Sequence, residues 1–363
     1  VRILVVNAGS SSVKLSLLGP ADELLAEHDS GRLDSDAEVR RLATVIAKLP
    51  EIDAVGHRIV HGGEQFSRAV RIDAEVEKSL RALSDLAPLH QAKSLAALDA
   101  VSGILPDVPA VACFDTAFHS TMPEAAATYA LPAEWRARWH IRRYGFHGLS
   151  HAYIARRAAE LLDPPPARLI SAHLGSGASL AAVRDGRSVD TTMGFTPLEG
   201  LVMATRSGSV DPGLVLWLLE HVGLATHELG QALEDDSGLR GLAGTADMRE
   251  VLAHRRAGDK RAVLALDVYM HRLRAEIAAM AAALGGVDAL AFTGGVGQRS
   301  AEVREEACRG LGFLGIALDP AANEQATDDR DVSAPESSAR VLVIAAREDL
   351  EIARQVRGVL GPS

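Results

Sequence analysis

Residues 1–18, VRILVVNAGSSSVKLSLL, constrain this chain more than any other stretch. They read as two short apolar strands joined by a tight turn of small residues, Asn7-Ala8-Gly9-Ser10-Ser11-Ser12. Such a turn presents backbone N–H groups and hydroxyls together and leaves room for an anion to approach. Lys14 follows and adds a positive charge. The pattern is a phosphate-gripping hairpin rather than a Walker A loop, because no GxxxxGK[ST] opens a helix here. The same shape returns at 169–183, LISAHLGSGASLAAV, where Asn7 falls on His173, 166 positions further on, and Gly9-Ser10 fall on Gly175-Ser176, with Gly177 next. A long-period echo of this kind predicts two related lobes, each with its own phosphate loop and with a nucleotide in the cleft between them. Gly/Ser turns join strands in many proteins, so one alone carries little; two in matching strand contexts carry the argument.

The 363 residues suffice for two domains of ordinary size. No apolar run approaches the ~20 residues of a membrane span, and the chain enters a strand without a basic flank or cleavage site, so neither a membrane span nor a signal peptide is expected. Cys113 and Cys308 are the only cysteines and lack CxxC spacing, which points to free thiols in a cytoplasmic protein. A net charge of −10 argues against nucleic acid as a partner. An anionic substrate would then have to be met by locally concentrated positive charge.

Strand and helix patterns alternate throughout. Strands are expected at 2–6, 13–18, 54–59, 108–114, 169–173, 179–184, 289–292 and 340–345. Helices are expected at 37–48, 74–86, 94–101, 150–162, 212–220, 260–284, 301–311 and 350–359. The class is therefore α/β. The polar stretch 321–339 reads as a surface loop with no chemistry of its own.

The residues able to do chemistry sit at strand ends and in turns. Arg58, in HRIVHGGE, is suited to clamp a carboxylate or phosphate with its planar fork. His57 and His61 are four apart, but on a strand and turn that spacing does not converge the rings on a metal. Asp115 follows an apolar strand, where ligand sites form in α/β proteins; alone it reads equally as a helix N-cap. His147 lies in the donor-rich RRYGFHGLSH and is placed to stabilise developing negative charge, whereas His151 reads as structural. Arg206 sits in a turn before a helix opened by Asp211-Pro212. Thr293-Gly294-Gly295-Val296-Gly297 forms a third glycine loop between a strand and a helix. Glu348-Asp349 ends the last strand, and paired carboxylates near phosphate loops suggest Mg2+, although acidic residues also suit a helix N-terminus.

Taken together, NAGSSSVK, GHRIVHGGE, LAPLH, FDTAFH, RRYGFHGLSH, HLGSG, TPLEGL, TRSGSVDPG, ADMR, TGGVG and REDLEIAR resemble the acetate kinase family, within the acetate and sugar kinase/Hsp70/actin superfamily, over essentially the whole chain. The resemblance implies two ribonuclease H-like (actin-like ATPase) domains, residues 1–117 plus 350–363 and residues 118–349, with an interdomain active-site cleft. It implies a homodimer and reversible, Mg2+-dependent phosphoryl transfer (Mn2+ being an alternative metal) from ATP to acetate, giving acetyl phosphate and ADP. By motif, Asn7 and Glu348 serve the metal. Ser10, Ser12 and Lys14 belong to the first phosphate loop. Arg58 and Arg206 flank acetate and the transferring phosphoryl, Asp115 organises the reacting groups and His147 stabilises the transition state. His90 and His173 lie near the phosphates, with Gly175, Ser176 and Gly177. Asp247, Met248, Arg249 and Gly294–Gly297 surround the nucleotide. Val60, Leu89, Phe146 and Pro197 line a small methyl pocket. Two arginines, a histidine and a metal serve direct in-line transfer, because phosphoryl transfer needs chiefly alignment and charge neutralisation.

The chain departs from the family pattern in places. HQA stands for HNP at 90–92, Ser176 for an asparagine, Gln298-Arg299 for an acid and an amide, and Ala346-Arg347-Glu348-Asp349 for TNEE. These changes bear on donor preference, ATP against pyrophosphate, more than on reaction type. A propionate kinase and a non-catalytic nucleotide-binding protein of the same fold are the competing readings.

Overall fold

The structure, a computed structural model, describes residues 1–9, 12–31, 35–83 and 88–361, with only the backbone of residues 36 and 88–90. The chain forms two compact units. One comprises residues 1–120, 146–153 and 347–363, the other residues 121–145 and 154–346.

The first unit is built on six strands, β1 (Ile3–Ala8), β2 (Val13–Leu18), β3 (Leu24–Asp29), β4 (Ala54–Ile59), β5 (Val70–Arg71) and β6 (Ala110–Phe114). Their order across the sheet is β3-β2-β1-β4-β6-β5. The opening segment is the antiparallel hairpin its sequence demands, with Asn7 opposite Lys14. β1, β4 and β6 run parallel, and β5 closes the edge antiparallel. Alternation along β1 supplies both faces. Leu4, Val6 and Ala8 pack on one side with Leu42, Ile46, Ala97 and Val101 of helices Asp36–Ile46 and Pro88–Ile104. Ile3 and Val5 pack on the other with Ile352, Ala353 and Val356 of helix Glu348–Leu360.

The second unit repeats this plan. Its strands are β7 (Arg168–Leu174), β8 (Ala178–Arg184), β9 (Arg187–Thr191), β10 (Ala289–Thr293), β11 (Arg330–Asp331) and β12 (Arg340–Val343). Their order is β11-β12-β10-β7-β8-β9. Strand for strand, and in the sense of each pairing, it matches the first sheet. The two α/β lobes read from the repeated hairpin are therefore present, each with a ribonuclease H-like mixed sheet.

Several details differ from the sequence reading. β3 and β9 were not expected. β3 is almost wholly exposed, and such an outer strand is held by its ladder to β2 rather than by an apolar face. Residues 321–339 are not a plain loop. Helix Pro320–Glu324, capped by Asp319, lies at its start and β11 at its middle, and bridges join Ile316 to Ala339 and Leu318 to Ser333. Its polar side chains satisfy local backbone groups, as Ser337 does for Gly315 and Ala339, so polarity here marks hydrogen bonding rather than solvation. Among the described residues no helix is long and apolar enough to cross a membrane. Cys113 and Cys308 are free and buried.

Two expected outcomes follow from the packing of the first unit. A Cβ at Gly56 on β4 would lie 2.5 Å from Cγ2 of Ile352 and 2.8 Å from Cγ2 of Val356, so the C-terminal helix packs directly on bare backbone. Gly56→Ala should destabilise the fold by about 1–3 kcal/mol, read as a lowered urea midpoint; an unchanged midpoint would contradict this packing. His57, His61 and His119 are buried, and burial lowers each from 6.5 to about 4. The unfolded chain thus binds protons that the folded chain refuses. The stability these residues contribute is complete above their unfolded pKa and falls as pH drops towards 4. The unfolding free energy from urea melts should fall steeply between about pH 6.5 and about pH 4, by up to ~4 kcal/mol per pH unit if all three titrate, and the midpoint with it. A flat profile over that range would show that these imidazoles are not buried neutral.

Candidate active site

The strand order brings the first set of candidate residues together. β1, β4 and β6 are parallel neighbours, so their C-terminal ends lie side by side at the edge where α/β ligand sites form. Asn7 is next to last in β1, Arg58 lies near the end of β4, and Asp115 directly follows β6. Arg58 Nε donates to both Asp115 oxygens at 3.2 and 3.1 Å, and Nη2 donates to Oδ2 at 2.7 Å. Nη1 donates to Asn7 Oδ1 at 3.0 Å. Asn7 Nδ2 in turn donates to Glu348 Oε2 at 2.8 Å, and that oxygen is 3.8 Å from Arg58 Nη1. The Asp115 side chain is 2% exposed, against 15% for Arg58 and 14% for Glu348. The cluster is therefore recessed but reachable from the Arg58–Glu348 side. Asp115 is a guanidinium partner, not a helix cap. Glu348 opens helix Glu348–Leu360 rather than closing a strand.

The charges reinforce one another. Burial opposes the Arg58 charge, but the Asp115 and Glu348 carboxylates outweigh it and hold the guanidinium above its ordinary value. Burial raises the Asp115 carboxyl above its usual range, against the pull of Arg58, and Glu348 adds to the rise. Two carboxylates thus share one guanidinium.

A strained segment leads to His147. Gly145 and His147 have φ of 74° and 56°, in the left-handed region. Gly148 N donates to Asp115 O at 2.8 Å, and a Cβ at Gly148 would lie 2.1 Å from that oxygen. Only glycine permits this approach, which ties the backbone beside His147 to the strand end carrying Asp115. Phe146 is buried, its ring edge-on to His61, and Phe146 O accepts from His119 Nε2 at 3.0 Å. Val60 is buried just beyond β4. His151 lies in helix Gly148–Leu161, buried against His119, in agreement with a structural role. In the first hairpin, Ser12 Oγ donates to Asp29 Oδ2 and Lys14 is exposed. Ser10 and the side chains of Leu89 and His90 lie outside the described residues.

The second unit holds a cavity of about 560 Å³. Gly175 and Ser176, from the repeated hairpin, form one wall, and Asp247, Met248 and Arg249 another. Asp247 caps helix Met248–Arg256 and pairs with Arg249. Gly295, Val296 and Arg299 complete it, with Leu239, Leu252 and Tyr269 giving it an apolar lining. Gly294–Gly297 do not form an open loop but the first turns of helix Gly294–Arg299. Gly294 has φ 77°, and a Cβ there would lie 2.6 Å from Leu174 O, so the helix starts against β7 itself. Gly177 O accepts from Gly175 N at 3.0 Å, and His173 pairs with Thr293 across the sheet. Arg206 Nε donates to Glu234 Oε2 at 3.0 Å and Nη1 to the carbonyl of the buried Pro197 at 3.4 Å. Arg143 is bound to Glu199 and to the carbonyls of Thr191, Thr192 and Met193, a structural task.

Sequence reasoning missed Glu234, Leu239, Leu252 and Tyr269. Leu239, Leu252 and Tyr269 look like ordinary helix core, and Glu234 like a solvated helix end. Nothing in their spacing announces a cavity.

The chain that carries this cluster and this cavity has relatives among known proteins. The profile described as the acetokinase family matches residues 37–354. The acetate kinase of Nostoc punctiforme is 45% identical, with 99% of each chain covered. The acetate kinase of Gloeobacter violaceus is 52% identical over 86% of this chain and 78% of its own. Among solved structures, the acetate kinase of Porphyromonas gingivalis superposes with a TM-score of 0.90 at 38% identity, covering 99% of this chain and 100% of that one. A propionate kinase from Francisella tularensis superposes with a TM-score of 0.91 at 37% identity, covering 99% of each. A profile match over most of the chain, together with full-length relatives at such identities, places the chain in the acetokinase family.

Proposed function

We propose that this protein is an acetate kinase, transferring the γ-phosphoryl group of ATP directly and reversibly to acetate. The observation that carries the reading is the Arg58–Asp115–Asn7–Glu348 cluster. Arg58 has five N–H groups, and Nε, Nη1 and Nη2 each place one on Asp115 or Asn7. The remaining guanidinium edge suits a small carboxylate, which a planar fork recognises in two-point fashion. Asp115 fixes that fork, so the acceptor is oriented before reaction. Arg206 and His147 are assigned the neutralising of charge that develops on the transferring group. Ser12, Lys14, His90 and His173 are assigned to the phosphates. Val60, Phe146, Leu89 and Pro197 are assigned to the acetate methyl.

The donor is read from the second unit. A 560 Å³ cavity with apolar walls and a glycine rim fits a nucleoside with its phosphates better than bare pyrophosphate. Ser176 and Arg299 both line it, so the two departures bear on donor affinity.

A divalent cation, Mg2+ or Mn2+, fits the donor set of the first unit. Among the described residues no group of three His, Cys, Asp or Glu could hold a metal alone. Mg2+ at phosphoryl-transfer sites commonly takes one or two carboxylates plus phosphate oxygens and water. Glu348 and the Asn7 amide oxygen are hard oxygen ligands of that kind. A cation bound there would neutralise phosphate charge.

The exposed Val210, Leu214, Leu216 and Trp217 support a homodimer, and two buried free thiols support a cytoplasmic location. Propionate is the second substrate reading, favoured by the likeness to a propionate kinase structure. Val60 and Phe146 are bulky, which favours the smaller acid, although one methylene separates substrates by only ~1–3 kcal/mol.

Acyl phosphate trapped with hydroxylamine should form from acetate, Mg2+ and ATP, more slowly (as propionyl phosphate) when propionate replaces acetate, and not at all from acetate with pyrophosphate. Product with pyrophosphate alone would overturn the donor assignment. No product from folded protein that still binds ADP would overturn the acceptor assignment.

A further inference from the structure

Arg304, on helix Ala301–Arg309, is 1% exposed. Its guanidinium donates to amide oxygens rather than to a carboxylate. Nε donates to Asn323 Oδ1 at 2.7 Å and Nη2 to Asn323 O at 2.8 Å. Nη1 donates to Gly297 O at 2.9 Å and to Gln298 O at 2.7 Å. Burying a guanidinium among neutral dipoles is costly, and burial lowers its pKa from the ordinary arginine value. A leucine would fill such a place more cheaply.

What the cation does is visible in its acceptors. Helix Gly294–Arg299 has six residues, three of them glycine, and could not persist alone. Its last carbonyls have no partner within so short a helix. Arg304 caps two of them, and its positive charge complements the negative end of the peptide dipoles. The same short helix supplies Gly295, Val296 and Arg299 to the 560 Å³ cavity. Asn323 steadies the capping group. Its Nδ2 donates to Ala301 O at 2.9 Å, and its backbone N donates to Asp319 O at 2.9 Å. A segment that reads from sequence as an idle surface loop is thereby tied to the cavity wall.

We infer that Arg304 and Asn323 are positioning residues for the phosphoryl-donor site, holding the glycine-rich helix where its backbone and Arg299 meet the nucleotide. The inference rests on the reading of this cavity as the nucleotide site. Neither residue touches the nucleotide, and neither bears on the acetate side, so their loss should separate donor from acceptor.

The test is ADP titration calorimetry on wild type, Arg304→Lys, Arg304→Met and Asn323→Ala, with steady-state KM values for ATP and acetate and thermal unfolding of each. Lysine keeps the charge but cannot cap two carbonyls and hold Asn323 at once. Arg304→Lys should raise the ADP Kd about tenfold and the ATP KM similarly, leaving the acetate KM within about twofold. Asn323→Ala should shift the same constants in the same direction by a smaller factor. If Arg304→Met does not fold, the other two variants decide. Folded Arg304→Lys that binds ADP like wild type overturns the inference, as does a variant whose ATP and acetate KM values rise together. Wild-type protein that binds no ADP would overturn the nucleotide reading of the cavity, and the inference with it.

Discussion

The ion pair between Arg58 and Asp115 is the contact around which the first unit's site is arranged. It joins the ends of two adjacent parallel strands, and Asn7 joins the third. Neighbouring strands lie ~4.8 Å apart, so a guanidinium on the middle strand reaches both sides without bending the sheet. Register makes this specific. Val6 stands beside His57, and Arg58 beside Cys113. A slip of one residue would turn Arg58 into the core and an apolar side chain towards the ligand edge. Such a buried pair adds little net stability, since desolvation offsets most of the attraction. Its value lies in fixing the direction of the fork. Gly148 depends on the same place, because its N–H is bound to the Asp115 carbonyl.

The second unit has the same sheet put to a different use. His173 occupies the position of Asn7, and Thr293, beside it in the ladder, that of Arg58. The charged fork has been replaced by a small residue followed at once by Gly294. Where the first sheet closes its strand ends with a guanidinium and carboxylates, the second opens them into a glycine-walled cavity. One topology thus supplies a rigid charged clamp and a roomy glycine-walled pocket. The backbone plan is shared, and the chemistry is set by the residues at the strand ends.

Much of this was legible in the sequence because it depends on local signals. The hairpin at residues 1–18 and its echo announce themselves through apolar runs flanking Gly/Ser turns, and strand ends fix where Arg58 and Asp115 sit. The remainder depends on contacts far apart along the chain. No local pattern near Asn7 indicates that its amide meets Glu348, 341 residues away; only the family resemblance set the two at one metal. Arg304 lies among the charged residues of EVREEACR and reads as solvated, yet it is buried because residues 320–324 fold back over it. The edge strand β3 sets only Ala26, half-buried, against the core, so a pattern of burial could not reveal it. Periodicity reports what packs against a core; it is silent about polar groups that pair with one another inside it.

The central claim is that the Arg58 fork orients the acceptor carboxylate. Initial rates of acetyl phosphate formation by Arg58→Lys, measured against acetate concentration beside the urea midpoint of the same protein, test it most directly. Lysine retains the positive charge but not the two-point fork. The account predicts that kcat/KM for acetate falls about 100-fold or more in protein that remains folded. Turnover of acetate close to the wild-type rate would contradict it.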